Sequence, residues 1–363
     1  MPTQLFRTLA IFWLILGVSV LNACSTTNPN YDPAKPHHTP TGFKNLYSAG
    51  TGGFGNFLLW QWERLGKTVP LPTADLSPVA PDMDAINAPK AAQVTWIGHA
   101  SALVQMGGFN ILTDPHFSER AGPVQFAGPK RFQAPGLSLA QLPRIDAVVI
   151  SHNHYDHLDL TSVRILAALP AAPVFYVPLG MDDWFKANVP NAKVFKTDWQ
   201  EKHVLKKSRG ETSVELVLQF LPVQHWSSRT PFDRLATLWG SWALLVNNQS
   251  VSKAVWFSGD LGYSQDTANI ARQFPQGFDL SLIAVGAYEP RWFMKGQHIN
   301  PAEAVTVHRE ITSRKSVGIH WGTFSLTDEA LDQPIADLAA AKKSQTVSDK
   351  AFVLLRHGQT VGF

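Results

Sequence analysis

Short apolar runs rich in Val, Ile, Phe and Trp recur along the chain from about residue 91 onward. Runs of this kind, bounded by Gly, Pro, Asn or Asp, are typical of β-strands. Gly107-Gly108 separates two of them as the turn of a hairpin would. The pattern predicts strands near residues 94–97, 102–106, 109–112, 147–150, 174–177, 193–196, 214–221, 242–246, 254–257, 280–285 and 316–319.

Helical segments are fewer and lie between the strands. They are predicted near residues 161–169, 182–188, 265–274, 301–310 and 328–342. Because strands dominate and helices are interspersed, an α/β (α+β) fold with two sheets covered by helices fits better than a single doubly wound sheet.

The N-terminal residues have the pattern of a bacterial lipoprotein signal. Arg7 is followed by an apolar stretch that is short for a membrane span, and the stretch ends at Leu21-Asn22-Ala23-Cys24. We expect residues 1–23 to be a signal peptide and Cys24 to be lipidated. Ser25 favours the outer membrane of the cell envelope, facing the periplasm. An ordinary signal peptide or anchor with an incidental cysteine is the alternative.

Residues 24–90 are expected to form a lipidated tether and N-terminal extension, followed by one domain over residues 91–363. The stretch 25–42 is rich in Pro, Thr and Asn and predicts a flexible tether, in which His37 and His38 are expected to be solvated. The apolar, aromatic stretch 57–65 predicts a helix, either packed on the domain or resting on a bilayer surface.

The amino-acid composition limits the classes of partner that the protein is expected to bind. Charged residues make up 16% of the chain and the net charge is +3, which gives no argument for nucleic acid. The 12 Trp and 21 Phe indicate core packing, an apolar groove or a membrane-facing rim. Cys24 is the only cysteine, so internal disulfides are excluded, and with Cys24 lipidated no thiolate remains as a metal ligand.

Three histidines and an aspartate fall within six residues, directly after the predicted strand at 147–150. They are His152, His154, Asp156 and His157. Imidazole nitrogen and carboxylate oxygen suit Zn²⁺ and similar metals. In an extended backbone His152 and His154 point to one side, and the later pair can face a second metal. The cluster predicts a metal site.

Three further polar residues follow apolar strands and could complete this site: His225, Asp260 and His320. With the first cluster they make five histidines and two aspartates. Seven ligands are enough for two metal ions that share one carboxylate, with a hydroxide between them. The residues alone therefore support metal-assisted hydrolysis.

These residues resemble the metallo-β-lactamase superfamily, whose His-x-His-x-Asp-His signature is matched by residues 152–157. The resemblance implies an αββα sandwich of two mainly antiparallel sheets flanked by helices. It also implies the ligand sets. His152, His154 and His225 would hold one metal, Asp156, His157 and His320 would hold the other, and Asp260 would bridge them.

A narrower resemblance is to the N-acylphosphatidylethanolamine phospholipase D family. It is carried by residues 286–295 (GAYEPRWFMK) and by shorter blocks at 128–132, 224–227, 238–242 and 319–324. It implies two Zn²⁺ ions, a membrane phospholipid substrate and a homodimer. The reaction implied is hydrolysis of N-acylphosphatidylethanolamine to N-acylethanolamine and phosphatidic acid. Gln125 would contact the head group, although Phe126 lacks the hydroxyl of the family's tyrosine.

Catalytic roles are expected for Asp156, Asp260 and His320, with a metal-bridging hydroxide as nucleophile. Arg291 could meet phosphate, and His298 could contact substrate or orient a ligand. For three other residues the alternatives stay open. His99 is a candidate partner of a ligand, Asp114 is expected to be a turn residue near the site, and Asp159 either orients a ligand or caps a helix.

Two other functions compete with the lipid phosphodiesterase. One is a metallo-hydrolase of a small soluble substrate, such as a lactone or phosphorylated metabolite, which metal motifs alone do not exclude. The other is a non-enzymatic envelope lipoprotein that binds a structural metal.

Overall fold

The computed structural model of the chain describes residues 27–47, 53–209, 212–247 and 252–363. The expected signal peptide over residues 1–23, the expected lipidation site Cys24 and Ser25 lie outside the described residues.

Sixteen strands and eight α-helices are found in the described residues. The strands are β1 (His38–Thr39), β2 (Gly42–Phe43), β3 (Gln93–Gly98), β4 (Ser101–Met106), β5 (Phe109–Thr113), β6 (Ala147–Val149), β7 (Val174–Pro178), β8 (Lys193–Thr197), β9 (Lys202–Arg209), β10 (Thr212–Leu221), β11 (Ser241–Asn247), β12 (Ser252–Phe257), β13 (Leu280–Ala284), β14 (Ser316–Ile319), β15 (Phe352–Leu354) and β16 (Thr360–Gly362). The helices are α1 (Phe54–Arg64), α2 (Met83–Asn87), α3 (Leu160–Ala167), α4 (Met181–Asn188), α5 (Gln265–Gln273), α6 (Arg291–Met294), α7 (Pro301–Glu310) and α8 (Gln333–Ser344).

Fourteen of these strands form two seven-stranded sheets. The first has the order β16-β3-β4-β5-β6-β7-β8 and the second the order β15-β14-β13-β12-β11-β10-β9. Each sheet contains three antiparallel and three parallel pairings. The expectation of mainly antiparallel sheets is therefore wrong, because crossover connections, most of them helical, return the chain to the same end of the sheet between successive strands and so make those strands parallel.

The two sheets pack face to face, and helices cover their outer faces. In β4, Ala102 and Val104 belong to the core that reaches the second sheet, whereas Leu103 belongs to a separate core with residues of α3 and α4. This alternation follows from the two-residue period of a strand. The αββα sandwich expected from the sequence is confirmed.

Every strand and helix predicted from the apolar pattern is present, with ends shifted by a few residues. Strands β1, β2, β9, β15 and β16 and helices α2 and α6 were not predicted. β9 is rich in lysine and lies at a sheet edge, where charged residues are favoured and an apolar signal is lost. β15 and β16 have three residues each, and β16 pairs with β3 from the far end of the chain.

The segment 27–47 is packed against the domain. His37 and His38 are buried and both bond to Asp198, so the expectation that they are solvated is wrong. The charge and hydrogen-bonding capacity of Asp198, more than 150 residues away along the chain, hold them there. That contact has no local signal in the sequence.

Helix α1 packs one side on the domain and exposes the other. Trp60 is buried and stacks on Phe293 with ring centroids 5.1 Å apart. Trp62 and Leu65 on the other side are 72% and 71% exposed. Among the described residues, none of the helices combines the length and the apolar character needed to span a bilayer.

The turn after β12 brings the two sheets together at one edge. Gly259 has a positive φ of 56°, and a Cβ at this position would lie 2.6 Å from the Cβ of Ser151, which follows β6 in the other sheet. Glycine is therefore required both by the backbone and by the close approach.

We predict that Gly259→Ala lowers the free energy of unfolding by about 1–3 kcal/mol, because it combines a strained φ with a steric clash. Chemical denaturation measures this change. Gly55→Ala in α1 is the control, since its Cβ would have nothing within 4 Å, and it should leave stability unchanged or slightly raised. Equal stabilities for the two variants would contradict the close packing described here.

Candidate metal centre

Four strand ends supply the seven expected ligands. His152, His154, Asp156 and His157 follow β6, and His225, Asp260 and His320 follow β10, β12 and β14. Oδ2 of Asp260 lies in the middle of this group. It is 3.1 Å from His157 Nε2, 3.2 Å from His320 Nε2, and 3.8 Å from Nε2 of both His152 and His225. The structure thus brings all seven residues together around one carboxylate, in the position expected of a shared ligand.

Three imidazole nitrogens converge on one side of Asp260. His152 Nε2 and His154 Nδ1 are 2.8 Å apart, and His225 Nε2 is 3.4 Å from the same His154 nitrogen. Burial lowers the pKa of His154 to about 3 and also lowers the pKa of His152 and His225, so these rings are neutral at pH 7. Convergent nitrogens on neutral rings form a donor set that fits Zn²⁺ or a similar cation.

A second group lies on the other side, around Asp156. Its Oδ2 is 3.2 Å from His320 Nε2 and 3.4 Å from His157 Nε2. It is also 2.8 Å from His99 Nε2, and the His99 ring packs on that of His320 with centroids 4.0 Å apart. Oxygen and nitrogen donors again surround one position. His99 was only a candidate partner in the sequence, and here it contacts a carboxylate of the centre directly.

The two carboxylates favour positive charge in this second group. Burial disfavours the imidazolium forms, yet Asp260 and Asp156 outweigh it and raise the pKa of His320 to about 9 and that of His157 above its usual value. A bound metal cation would supply the positive charge that the two carboxylates favour, and its binding would release these protons. Among the described residues, the buried atoms of the centre that have no hydrogen-bond partner include Oδ1 of Asp260 and Nδ1 of His298.

Three ligand histidines are oriented through their outer ring nitrogens. Nδ1 of His157 is 2.6 Å from Oδ2 of Asp114, and Nδ1 of His152 is 2.8 Å from Oγ of Ser151. Nδ1 of His225 is 3.0 Å from the carbonyl oxygen of Gln297. Each contact fixes the ring and leaves Nε2 for the centre, as is typical of metal-binding histidines.

Asp114 does more than form a turn. It is fully buried, and besides its contact with His157 it accepts hydrogen bonds from the backbone N–H and the hydroxyl of Ser151. The carboxylate therefore holds the start of the ligand loop and one ligand ring at once. Asp159, by contrast, caps helix α3 by accepting from the backbone of Thr161 and Ser162.

Strained backbone is concentrated here. His99, Asp114, Ala287 and His320 are non-glycine residues with φ between 30° and 64°. Such conformations cost free energy and persist only where the surroundings enforce them, which is common at functional sites. For His320 the strain accompanies the turn by which the chain leaves β14 and points the ring at Asp260.

A cavity of about 660 Å³ opens onto the centre. His154, Asp156, Asp260 and His298 contribute to its polar floor, and Thr327 also lines it. The apolar wall residues are Phe57, Trp60, Trp226, Ala287, Phe293, Met294 and Leu326. A deep apolar wall above a small polar floor is typical of sites for ligands with apolar chains.

Two of the residues expected to contact the substrate, His298 and Gln125, line different cavities. His298 lines the cavity, 3.9 Å from Asp260 Oδ2. Gln125 does not. It is exposed and lines a neighbouring groove beside Phe126, so its expected contact with the head group stays a prediction.

The side chain of Arg291 bonds to other groups of the protein. Its guanidinium is 2.7 Å from a carboxylate oxygen of Glu303 and donates to the carbonyl oxygen of His298 at 2.9 Å. Arg291 therefore holds the segment that carries His298, and its expected contact with phosphate stays a prediction.

Two arginines of the site were missed in the sequence. Arg234 lines the cavity and lies over the ring of Trp226, with 4.1 Å from its guanidinium carbon to the ring centroid. Arg229 lies over Tyr155 and donates to the carbonyl oxygens of Asn153 and Leu158, which braces the ligand loop. Both occur in a polar loop where a lone basic residue gives no signal.

Comparison with known proteins identifies the family. Residues 109–321 match the model of the β-lactamase superfamily domain. The chain belongs to this superfamily. It is 38% identical over 273 residues to N-acyl-phosphatidylethanolamine-hydrolyzing phospholipase D 1 of Caenorhabditis elegans, covering 73% of this chain and 74% of the relative. It is 32% identical over 241 residues to the mitochondrial N-acyl-phosphatidylethanolamine-hydrolyzing phospholipase D of Saccharomyces cerevisiae, covering 66% of this chain and 49% of that protein.

Among solved structures, an isothiocyanate hydrolase from Delia radicum gut bacteria shares the fold, with a TM-score of 0.55 and 17% identity over 75% of this chain and 99% of that one. The superfamily membership and these relatives make the protein a metal-dependent hydrolase. A non-enzymatic metal-binding lipoprotein is accordingly set aside.

We predict that Asp114→Asn weakens binding of one metal ion by roughly 10- to 100-fold, because His157 loses its charged partner. Competition with a chromophoric chelator measures this affinity. Asp146→Asn is the matched control: the Asp146 side chain is 6% exposed and is also hydrogen-bonded, but its partners are Asn110 and Lys207, away from the centre. A parallel loss in both variants would show a general effect on folding instead.

Proposed function

We propose that the protein is a zinc-dependent phosphodiesterase that hydrolyses N-acylphosphatidylethanolamine to N-acylethanolamine and phosphatidic acid. The observation that carries this proposal is the position of the seven-residue centre at the floor of a cavity with apolar walls. The similarity to N-acyl-phosphatidylethanolamine-hydrolyzing phospholipases D supports the choice of substrate.

The cavity matches an amphiphilic diester in its two halves. Acyl chains require apolar surface, which Phe293, Met294 and Leu326 provide along the wall. The phosphodiester is anionic and requires cationic or hydrogen-bonding groups. Among the described residues that line the cavity, Arg234 is the only arginine or lysine. It lines the same cavity as the polar floor.

The residues of the centre are suited to hold two ions. His152, His154 and His225 would hold one, Asp156, His157 and His320 the other, and Asp260 would contact both. When bound, two Zn²⁺ ions would lower the pKa of water toward about 7 and neutralise charge on the phosphoryl oxygens.

The protein's own groups then position the reactants. Asp156 is partly exposed to the cavity, so its carboxylate can orient the attacking water as well as bind metal. His298 lies at the floor with a free Nδ1, where it can bond a phosphoryl or leaving oxygen. The apolar wall excludes bulk water from this region.

A hydrolase of a small soluble substrate, such as a lactone or a phosphorylated metabolite, is the second candidate. The fold is shared with hydrolases of other substrates, so the fold does not decide between them. The extent of the apolar wall favours the lipid, because a small polar metabolite would leave that wall in water.

We predict that zinc-loaded protein converts N-acylphosphatidylethanolamine in mixed micelles to N-acylethanolamine and phosphatidic acid, detected by mass spectrometry. His152→Ala should abolish the products, and a strong chelator should abolish them reversibly. His203→Ala, a histidine on β9 outside the centre, should keep them. Absence of product from protein with two bound ions would refute the lipid substrate and favour the small-molecule alternative.

We predict that Leu326→Gln raises KM for the lipid by roughly tenfold, the equivalent of about 1.4 kcal/mol of lost apolar contact. It should leave kcat/KM for a small chromogenic phosphodiester unchanged, since that substrate needs only the floor. Leu326→Met preserves the apolar wall and is the matched control. Equal effects of Leu326→Gln on both substrates would place the lipid chains elsewhere.

We also propose that the enzyme acts at the membrane of the cell envelope, anchored through lipidated Cys24 and facing the periplasm at the outer membrane. The apolar stretch before Cys24 supports the anchor, and a phospholipid substrate would be reached from the same surface. A homodimer is proposed from the family resemblance alone.

A further inference from the structure

The segment that precedes α1 reaches the metal centre through Asn45. Nδ2 of Asn45 donates to the carbonyl oxygen of His225 at 2.9 Å, and Oδ1 accepts from the His225 backbone N–H at 3.1 Å. His225 lies beyond the end of β10 at Leu221, where the regular pairing with β11 has stopped. One carboxamide therefore bonds both backbone groups of a metal-ligand residue, as a neighbouring strand would.

The orientation of that carboxamide is fixed by a buried tryptophan. Trp239 is fully buried, and its Nε1–H is shared between Oδ1 of Asn45 and the carbonyl oxygen of Val223, each at 3.1 Å. An indole N–H can only donate, so the oxygen of Asn45 must face it. The amide nitrogen is then left for the carbonyl oxygen of His225.

The same segment is fastened further upstream by one buried carboxylate. Asp198 is 1% exposed and accepts hydrogen bonds from His37 Nε2 at 2.7 Å, from His38 Nε2 at 3.0 Å and from the Lys35 ammonium. Burial opposes ionisation, but the bonds from His37 and Lys35 hold the pKa of Asp198 well below its usual range. We call Lys35, His37, His38 and Asp198 the clasp.

The clasp is a structural fastening and not a second metal site. Two imidazoles and a carboxylate are suitable ligands in type. Here, however, the Lys35 ammonium already bonds the carboxylate and neutralises its charge, and the backbone N–H of Trp199 is also bonded to it at 2.7 Å.

The clasp is connected to Asn45 through packed side chains. The His37 ring stacks on Trp199 with centroids 4.4 Å apart, and Trp199 Nε1 donates to the carbonyl oxygen of Trp239 at 2.6 Å. Trp239 in turn bonds Asn45. A displacement of the segment at the clasp would therefore be transmitted to the backbone of His225 through contacts between rigid aromatic rings.

We propose that Asn45 is a positioning residue for the metal ligand His225, and that the clasp holds Asn45 in place. Lys35, His37 and His38 of the clasp lie in the stretch 25–42 that the sequence predicts to be a flexible tether, so part of that stretch then supports the metal centre. Gln297 orients the ring of His225 and Asn45 fixes its backbone, so the ligand is constrained from both ends. This inference rests on the two-metal centre of the proposed function.

The test is a zinc titration of the full-length chain in detergent, by competition with a chromophoric chelator. We expect Asn45→Ala to weaken one of the two binding steps by roughly 10- to 100-fold and to leave the other unchanged. Reference variants identify the steps: His225→Ala removes a ligand from one ion and His320→Ala removes a ligand from the other. The weakened step should be the one that His225→Ala abolishes.

Two further variants separate positioning from folding. Asp198→Asn keeps the shape of the clasp but removes its charge, and we expect it to weaken the same step by a smaller factor. It gives an independent reading if Asn45→Ala does not fold. Lys44→Ala changes the exposed neighbour of Asn45 and should bind both ions as the unaltered protein does. The free energy of unfolding of each metal-free variant is measured in parallel.

Unchanged titrations for Asn45→Ala and Asp198→Asn would overturn the inference and leave the proposed function intact. Equal weakening of both steps would also overturn it, because that result indicates a general structural role. Failure of the unaltered protein to bind two ions would overturn the inference and the proposed function together.

Discussion

The rest of the structure depends on the burial of the Asp260 carboxylate among imidazole rings. Its Oδ2 lies within 3.8 Å of four ring nitrogens supplied by three strand ends. Asp156 lies on one side of it, in contact with His157 and His320. Carboxylates removed from water must be compensated by positive charge. Protons supply part of that charge in the metal-free protein, as the raised pKa of His320 shows. Metal ions supply it with better geometry, since several donors can share one cation.

The fold provides this arrangement by ending strands of both sheets at one edge. Tight approaches such as that of Gly259 to Ser151, and strained residues such as His99 and His320, are the local cost of bringing donors so close. Hydrogen bonds from outside the centre keep the rings aimed: Asp114 orients His157. The apolar cavity above the floor then determines which molecules can reach the metal ions, and its wall suits acyl chains.

The sequence pointed to the candidate ligands because they follow apolar strands closely. All seven candidate ligands lie just after strand ends: His152, His154, Asp156, His157, His225, Asp260 and His320. The local sequence pattern was therefore enough to select them. Roles that depend on contacts distant along the chain had no such mark. Asp114 gave only a turn signal, His37 and His38 lay in a Pro-rich stretch, and Asn45 had no feature at all.

Arg291 and Gln125 illustrate what a family resemblance leaves open. Family resemblance pointed to them as substrate contacts, but resemblance does not reveal where a side chain is directed. Glu303 takes the guanidinium of Arg291, and Gln125 lies over a neighbouring groove. The edge strands β9, β15 and β16 escaped prediction because charge or shortness removed their apolar signal. Their positions in the sheets are decided by pairing with strands distant along the chain, for which the local sequence carries no signal.

Anomalous diffraction at the zinc edge from metal-loaded crystals tests the central claim most directly. The account predicts two peaks about 3.5–4 Å apart, one bonded to His152, His154 and His225, the other to Asp156, His157 and His320, with Asp260 touching both. A single peak, or ions held at other residues while this cluster remains empty, would contradict it.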